Sequence, residues 1–412
     1  MDARRSFSGG VDLAHEASFK LGRAEILPST RHVRCGDQSK VVEPRAMQVL
    51  VVLGRAHGEV VSRDDLIDQC WGGRIVTDDA INRVIAQIRR VGSEFCQGEF
   101  SVQTIRSVGY RLHGEFGRAF GPANSNQREL VDRLREHQKI EFCRTSDAVT
   151  LAYSRLGEGY PLVKTPNWHG HLEQEIENPL WRHWVAELSS RSTLLRYDQR
   201  GTGMSDRCIS NLNFDRLLED MVTVVNTAGL ECFDLLAISQ GTLLAVAFAA
   251  RHPQRVRRLV LINGFSSGWR HSPDPDHVDS WEAMCTLIRA GWGKDSPALR
   301  QVYTSQFLPD GTGEQWASWN DFQKVSAAPE SAYRILQMFG DVDVADLLTK
   351  VRSPTLVMHC NRDQLISLER GRFIASKIPG AEFVILDGRN HLPQPEDVAW
   401  KQIQAELRRF LQ

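Results

Sequence analysis

One corner constrains the fold of this chain more than any other feature. The stretch LLAISQGTLLAVAFAA, Leu235 to Ala250, begins as an apolar strand, turns at Ser239-Gln240-Gly241, and continues as a helix of small side chains. A strand that is apolar on both faces belongs inside a sheet covered by helices. Ala237 and Gly241, two positions either side of Ser239, are small, as they must be where strand and helix pack closely around a strained turn. The run from Cys232 to Ala250 approaches the length of a membrane span. Asp234 and the polar corner would strand backbone groups in lipid, so it reads as a buried core unit and no membrane is expected.

The surroundings of that corner support the same reading. From Ile140, IEFCRT and VTLAYSRLG suggest an opening hairpin, and PLVKTPN, STLLRYD, CFDLLAIS and RRLVLING then alternate with helical stretches. After a long interruption come PTLVMHC and AEFVILDG, each followed by a helix. Alternation of this kind predicts an α/β fold with a mostly parallel sheet and helices on both faces.

A serine is a weak nucleophile unless a histidine takes its proton and an acid holds that histidine in the right tautomer. Asp363 follows the strand TLVMHC, and His391 follows the strand FVILDG, so serine, aspartate and histidine arrive in that order at strand ends. With YDQRGTGMSD, Tyr197 to Asp206, the segment resembles the α/β-hydrolase superfamily over about residues 138–412. The resemblance implies a catalytic triad of Ser239, Asp363 and His391. It also implies an oxyanion hole from the backbone N–H groups of Gln240 and Trp168, and a lid over about 265–353. Two departures stand out: Ala237 replaces the first glycine of the elbow, and Pro166-Asn167 replaces the usual His-Gly of the oxyanion turn. Loss of one such donor costs on the order of 10²–10³ in rate. The lid segment holds Trp269, Trp281, Trp292, Trp316 and Trp319, which either line an apolar pocket over Ser239 or form the lid's own core.

The first part of the chain has another pattern. SFKLGRAEIL, RHVRCGD and SKVV are short extended runs broken by turns, as in a small antiparallel sheet. EPRAMQVLVVL places Pro44 in a first helical turn, and Ser62 and Asp65 have capping-box spacing ahead of a second helix. In DDAINRVIAQIRR, Ile81, Val84, Ile85 and Ile88 form the stripe of a third helix, with Thr77 or Asp78 as its cap. FSVQTIRSVGYRL then reads as a hairpin around Gly109. Three helices followed by a hairpin form a winged helix-turn-helix, and residues 20 to 113 resemble the DNA-binding domain of OmpR/PhoB-type transcriptional regulators. The resemblance implies a double-stranded DNA partner. Asn82, Arg83, Arg89 and Arg90 would meet the groove or phosphates, with Thr104 and Arg106 on the wing. Asp79, Val84, Ala86 and Gln87 stand where that family is often basic, which lowers phosphate affinity and raises the value of a homodimer or tandem sites.

The organisation predicted is a winged helix at 17–114, a linker and connecting helix at 115–137, and an α/β-hydrolase domain at 138–412. GEFGRAFGPANSNQ has linker composition, and RELVDRLREHQK is a helix that either connects or makes a dimer contact. Net charge is −1 over 412 residues, so bulk charge gives no argument for nucleic acid. Eight cysteines without a C-x-x-C pair imply no metal, and no cofactor is expected. The N-terminus has early arginines but no apolar run of signal-peptide type, which makes the cytoplasm the expected compartment. With only some twenty residues ahead of the winged helix, control by a phosphoacceptor domain in front of it is not expected. Two functions follow from the pair of domains. One is a regulator whose second domain binds, and slowly hydrolyses, a small apolar ester- or lactone-like ligand. The other is a serine hydrolase that uses the winged helix for localisation or autoregulation.

Overall fold

The computed structural model describes residues 11–412 apart from 12, 14, 15, 17, 37, 57, 73–75, 107, 121–124, 208–210, 293 and 295–299. It divides into two compact units, Met1–Gln127 and Arg128–Gln412.

In the first unit, β1 (Ser18–Leu21), β2 (Ala24–Leu27), β3 (His32–Cys35) and β4 (Gln38–Val41) form an antiparallel meander. Helix α1 (Pro44–Arg55) starts on a proline, whose missing N–H costs nothing in a first turn. Strand β5 (Val60–Ser62) leads into α2 (Arg63–Trp71), and the Ser62 hydroxyl accepts from Asp65 N at 3.0 Å, as the capping spacing predicts. Helix α3 (Asp78–Arg90) buries Ile81, Val84, Ile85 and Ile88. The Thr77 side chain caps nothing. The wing is β6 (Phe100–Ile105) and β7 (Gly109–Gly114), with β5 on the outer side of β7.

The linker composition misleads at one place. Residues Phe116–Phe120 form β8, which pairs antiparallel with β1 and extends the first sheet to the order β4-β3-β2-β1-β8. An open strand edge supplies the partner, and local glycine content does not report it. Helix α4 (Ser125–His137) follows. Its Val131 and Leu134 are buried in the core of the second unit, so this apolar face is spent within the chain.

The second unit is built on eight strands: β9 (Lys139–Arg144), β10 (Thr150–Leu156), β11 (Tyr160–Lys164), β12 (Ser192–Tyr197), β13 (Phe233–Ile238), β14 (Val256–Ile262), β15 (Thr355–Cys360) and β16 (Glu382–Leu386). Their order is β16-β15-β14-β13-β11-β12-β10-β9, parallel from β16 to β12 and antiparallel at the β10 and β9 edge. Strand β13 lies in the middle and is buried along its whole length, which is why its sequence is apolar without alternation. Between β14 and β15 a helical segment, including Pro275–Gly291, Gly313–Ser326 and Pro329–Asp341, stands where the lid is expected. Among the described residues no helix is long and apolar enough to cross a membrane.

Candidate functional site

Ser239 follows β13 directly with φ at 56°, a left-handed conformation that costs a non-glycine residue free energy and persists only where the surroundings hold it. Its N–H donates to Ile262 O at 2.9 Å, and its carbonyl accepts from Thr242 N at 3.1 Å, so sheet and helix grip the corner from both sides. Glycine is needed at 241, because a Cβ there would lie 2.4 Å from Thr165 Oγ1. At 237 the alanine side chain is fully buried in the sheet, and the missing first glycine is absorbed by packing.

Asp363 and His391 are brought together. His391 Nδ1 donates to Asp363 Oδ2 at 2.7 Å, while Asp363 Oδ1 accepts from the N–H groups of Leu365 at 2.9 Å and Ile366 at 3.1 Å. With both carboxylate oxygens engaged, the imidazole has one tautomer that fits, with Nε2 as the acceptor. Nε2 is buried and has no partner among the described residues. It shares with Ser239 a small space beneath Trp168, Phe307 and Trp319, without a direct Ser239–His391 hydrogen bond. Contacts between a nucleophile and its base are commonly loose before substrate is bound.

The supports of this pair carry little sequence signal. Asn263, at φ 49°, donates through Nδ2 to His391 O at 2.7 Å and accepts from Cys360 N at 2.8 Å, tying the histidine loop to β15. Phe307 O accepts from His391 N at 2.9 Å, so the lid segment holds the same loop from above. His359 Nε2 lies 3.8 Å from Asp363 Oδ2 and 2.9 Å from Ile366 O, and burial pushes its pKa below the ordinary histidine range. An asparagine at a strand end in LVLING was the only available signal, and it reads as a turn residue.

Trp168 and Gln240 both line the space around Ser239, and among the described residues neither backbone N–H donates to a carbonyl. The Pro166-Asn167 departure turns out to be a brace. Asn167 Nδ2 donates to Ile238 O at 3.1 Å and to Gln240 Oε1 at 3.3 Å, while Gln240 Nε2 donates to Pro166 O at 3.2 Å. Asn167 Oδ1 in turn accepts from the buried Lys164 Nζ at 2.7 Å, and burial pushes that lysine's pKa down. The two segments carrying the expected oxyanion donors are therefore cross-tied through side chains.

Above them lies a cavity of about 380 Å³ lined by Trp168, Ser239, Gln240, Asp363 and lid residues. The lid tryptophans divide between the two alternatives. Trp269 and Trp281 stack at 5.3 Å and line the cavity. Trp292 and Trp319 instead pile around His169 with centroids at 5.8 and 5.1 Å, and Trp316 donates to Leu308 O inside the lid. His169 Nε2 sits 2.6 Å from the Tyr303 hydroxyl, and burial, followed by the neighbouring His391, pushes its pKa down to about 3.

In the first unit Asn82, Arg83, Arg89 and Arg90 are exposed on α3, and Arg106 is exposed at the wing turn. Arg89 is already engaged: Nε donates to Val102 O at 2.7 Å and Nη2 to Thr104 Oγ1 at 2.8 Å, which fixes the wing on the helix. Asn82 Oδ1 accepts from the Tyr110 hydroxyl at 3.1 Å, and that hydroxyl accepts from Arg63 at 3.3 Å. Arg83, Arg90 and Arg106 are exposed and make no such tie among the described residues.

This fold and this site define the class. A family model for the alpha/beta hydrolase fold matches residues 169–398, over half the chain, and the chain belongs to that family. A model for the C-terminal domain of transcriptional regulatory proteins matches residues 37–112, so a DNA-binding regulatory domain of OmpR/PhoB type is fused to the hydrolase domain. The chain is 27% identical to pyrrolizixenacetamide deacetylase of Xenorhabdus hominickii over 60% of its own length and 91% of that protein's. It is 26% identical to the non-heme chloroperoxidase CPO-A1 of Kitasatospora aureofaciens, over 61% of this chain and 92% of that one. The enol-lactonase structure from Burkholderia xenovorans LB400 superposes with a TM-score of 0.55 at 23% identity, covering 66% of this chain and 99% of that chain, a likeness of fold.

Proposed function

We propose that this protein is a transcriptional regulator whose hydrolase domain takes a small, largely apolar ester- or lactone-like ligand at Ser239 and is equipped to hydrolyse it. The observation that carries the reading is the buried, partnerless Nε2 of His391, oriented by Asp363 and facing the space it shares with the strained Ser239. In the proposed reaction His391 takes the Ser239 proton as Oγ attacks the acyl carbon, and the N–H groups of Trp168 and Gln240 receive the developing oxyanion. The imidazolium then protonates the leaving oxygen, and water repeats the sequence to release the acid. A deacetylase among the relatives fits acyl transfer of this kind.

Ligand occupancy changes DNA binding only if the ligand interacts differently with two states of the protein. The test is fluorophosphonate labelling of the purified chain with Ser239→Ala as control, followed by DNA-binding titrations with and without any ester or lactone that protects Ser239. Labelling that vanishes in the variant, with a shift in DNA affinity on protection, is the expected result. Labelling without any shift in DNA affinity supports the second reading, a serine hydrolase with the winged helix as a localisation device, which the fully assembled Asp363–His391 pair favours. No labelling of folded protein rejects the proposed chemistry.

A further inference from the structure

The cavity over Ser239 is not uniformly apolar. Its lining includes Arg370, half-buried in the first turn of the helix Leu368–Lys377. Arg370 Nη1 donates to Ser267 O at 2.9 Å and to Ser267 Oγ at 3.2 Å. A guanidinium carries five N–H donors in a planar fork, and the rest of this fork, Nε and Nη2, has no partner among the described residues. Nor does any carboxylate among the described residues pair with it. Asp363 is committed to His391 and two backbone N–H groups, and Asp274, which also borders the cavity, is exposed and is felt by His277. Arg196, Arg200, Arg257 and Arg270 each meet a carboxylate in this domain, which sets Arg370 apart from them.

A cation drawn partly out of water without a counter-ion is costly, and the cost is recovered when an anion arrives. Ser367, at the N-terminal end of the same helix, lines the cavity too and adds the positive end of the helix dipole. Among the described lining residues Arg370 is the sole arginine or lysine, and burial together with Arg370 holds His277 below the usual histidine range. One planar cation beside a neutral histidine suits a singly charged, planar carboxylate better than a phosphate dianion.

We propose that Arg370 determines specificity in this pocket by pairing with a carboxylate on the ligand, so that the substrate class is a short ester or lactone bearing a free acid. This rests on Ser239 and its cavity being the ligand site. Binding is measured by calorimetry on the full-length Ser239→Ala chain, which removes turnover, with monomethyl glutarate and dimethyl glutarate as probes. The monoanion is expected to bind about tenfold tighter or more. Arg370→Met should bring the two to within about twofold, with Arg370→Lys keeping part of the preference. If Arg370 only braces Ser267, both affinities move together and the preference survives, which overturns the proposal. Equal affinities in the parent, or no binding of the monoester, overturn it as well, and these need no arginine variant to fold. Failure of hydrolysis is read separately, by fluorophosphonate labelling of the chain that retains Ser239. A carboxylate preference without labelling leaves Arg370's role standing and removes the chemistry.

Discussion

The two units hold their functional polar groups in opposite ways. Around Ser239 the supporting side chains are buried and committed to one another: Asp363 to His391, Asn263 to Cys360 and His391, and Asn167 to Gln240. On α3, Arg83 and Arg90 are exposed, and only Arg89 and Asn82 are tied down, toward the wing and Tyr110. Bond-making at an acyl carbon needs donors fixed before the charge develops, because reorganisation would consume the benefit. Phosphate recognition needs solvated cations that displace counterions, and fixation matters less. The difference teaches that substitutions in the hydrolase unit act through geometry, whereas those on the recognition helix act through charge.

The largest effects should therefore fall in the proposed triad of Ser239, Asp363 and His391 and be non-additive. His391→Ala should cost ester hydrolysis about as much as Ser239→Ala, and Asp363→Asn roughly 10⁴-fold, measured as kcat with any ester that Ser239 turns over. Neither should change the unliganded protein's affinity for a DNA duplex. An Asp363→Asn enzyme within a few-fold of the parent would mean the Asp363–His391 bond is merely structural.

Next in size is Asn263, fully buried beneath the proposed triad and expected to act only by positioning His391. Asn263→Ala leaves Cys360 N and His391 O without their partners, at about 1–3 kcal/mol for a buried unmet group, and should lower kcat roughly ten- to hundredfold. The readout is a kcat loss with KM little changed, beside a lower Tm. A lower Tm with intact kcat would show that the histidine loop does not need this tie.

These examples mark what was legible in the chain. Ser239, Asp363 and His391 were readable because each sits at the end of an apolar strand, and strand ends in a parallel sheet converge on one edge. The Arg89–Thr104 tie was not, since it depends on how the β6–β7 hairpin folds over α3, a long-range pairing with no local signature. Strand β8 is hidden for the same reason: its partner β1 is nearly a hundred residues earlier, and Gly-Pro-Asn-Ser content outweighs it locally. Pro166-Asn167 reads as a deficit when the turn is taken alone. Its compensation lies in Gln240, some seventy residues on.

On the DNA side the expected effects are smaller and of two kinds. Arg83→Ala should leave Tm unchanged and reduce the salt slope of binding to a mixed-sequence duplex by about 1, as for one lost phosphate contact. Arg89→Ala should lower the winged helix's stability by about 1 kcal/mol through the loss of its bonds to the wing, in addition to weakening affinity. Anisotropy titrations between low and moderate salt, with thermal melts in parallel, separate the two. If both variants lower the slope alone, Arg89 leaves the wing on binding and the distinction between tied and free arginines fails.

The last prediction separates the units by acid. His169 is fully enclosed by lid aromatics, and its pKa is pushed down to about 3, while the half-buried His183, packed against Pro393, is pushed down to about 4. Above about pH 6.5 each imidazole is neutral in both the folded and unfolded chain, and the stability of the neutral packing is fully present. As pH falls below 6.5 the unfolded chain takes up protons that the folded domain refuses. Stability is then lost progressively, by about 2 kcal/mol for His169 alone at pH 5, until the folded side chain itself protonates near pH 3. Among its described residues the N-terminal unit fully buries no histidine, so scanning calorimetry of the whole chain from pH 7 to pH 5 should lower the hydrolase transition more than the winged-helix transition. His169→Phe, which keeps an aromatic body among Trp292 and Trp319 and removes the proton site, should shrink that gap without abolishing it, since His183 remains. Equal shifts in the two transitions would show that the acid response belongs to the chain's general charge balance and not to the enclosure of these histidines.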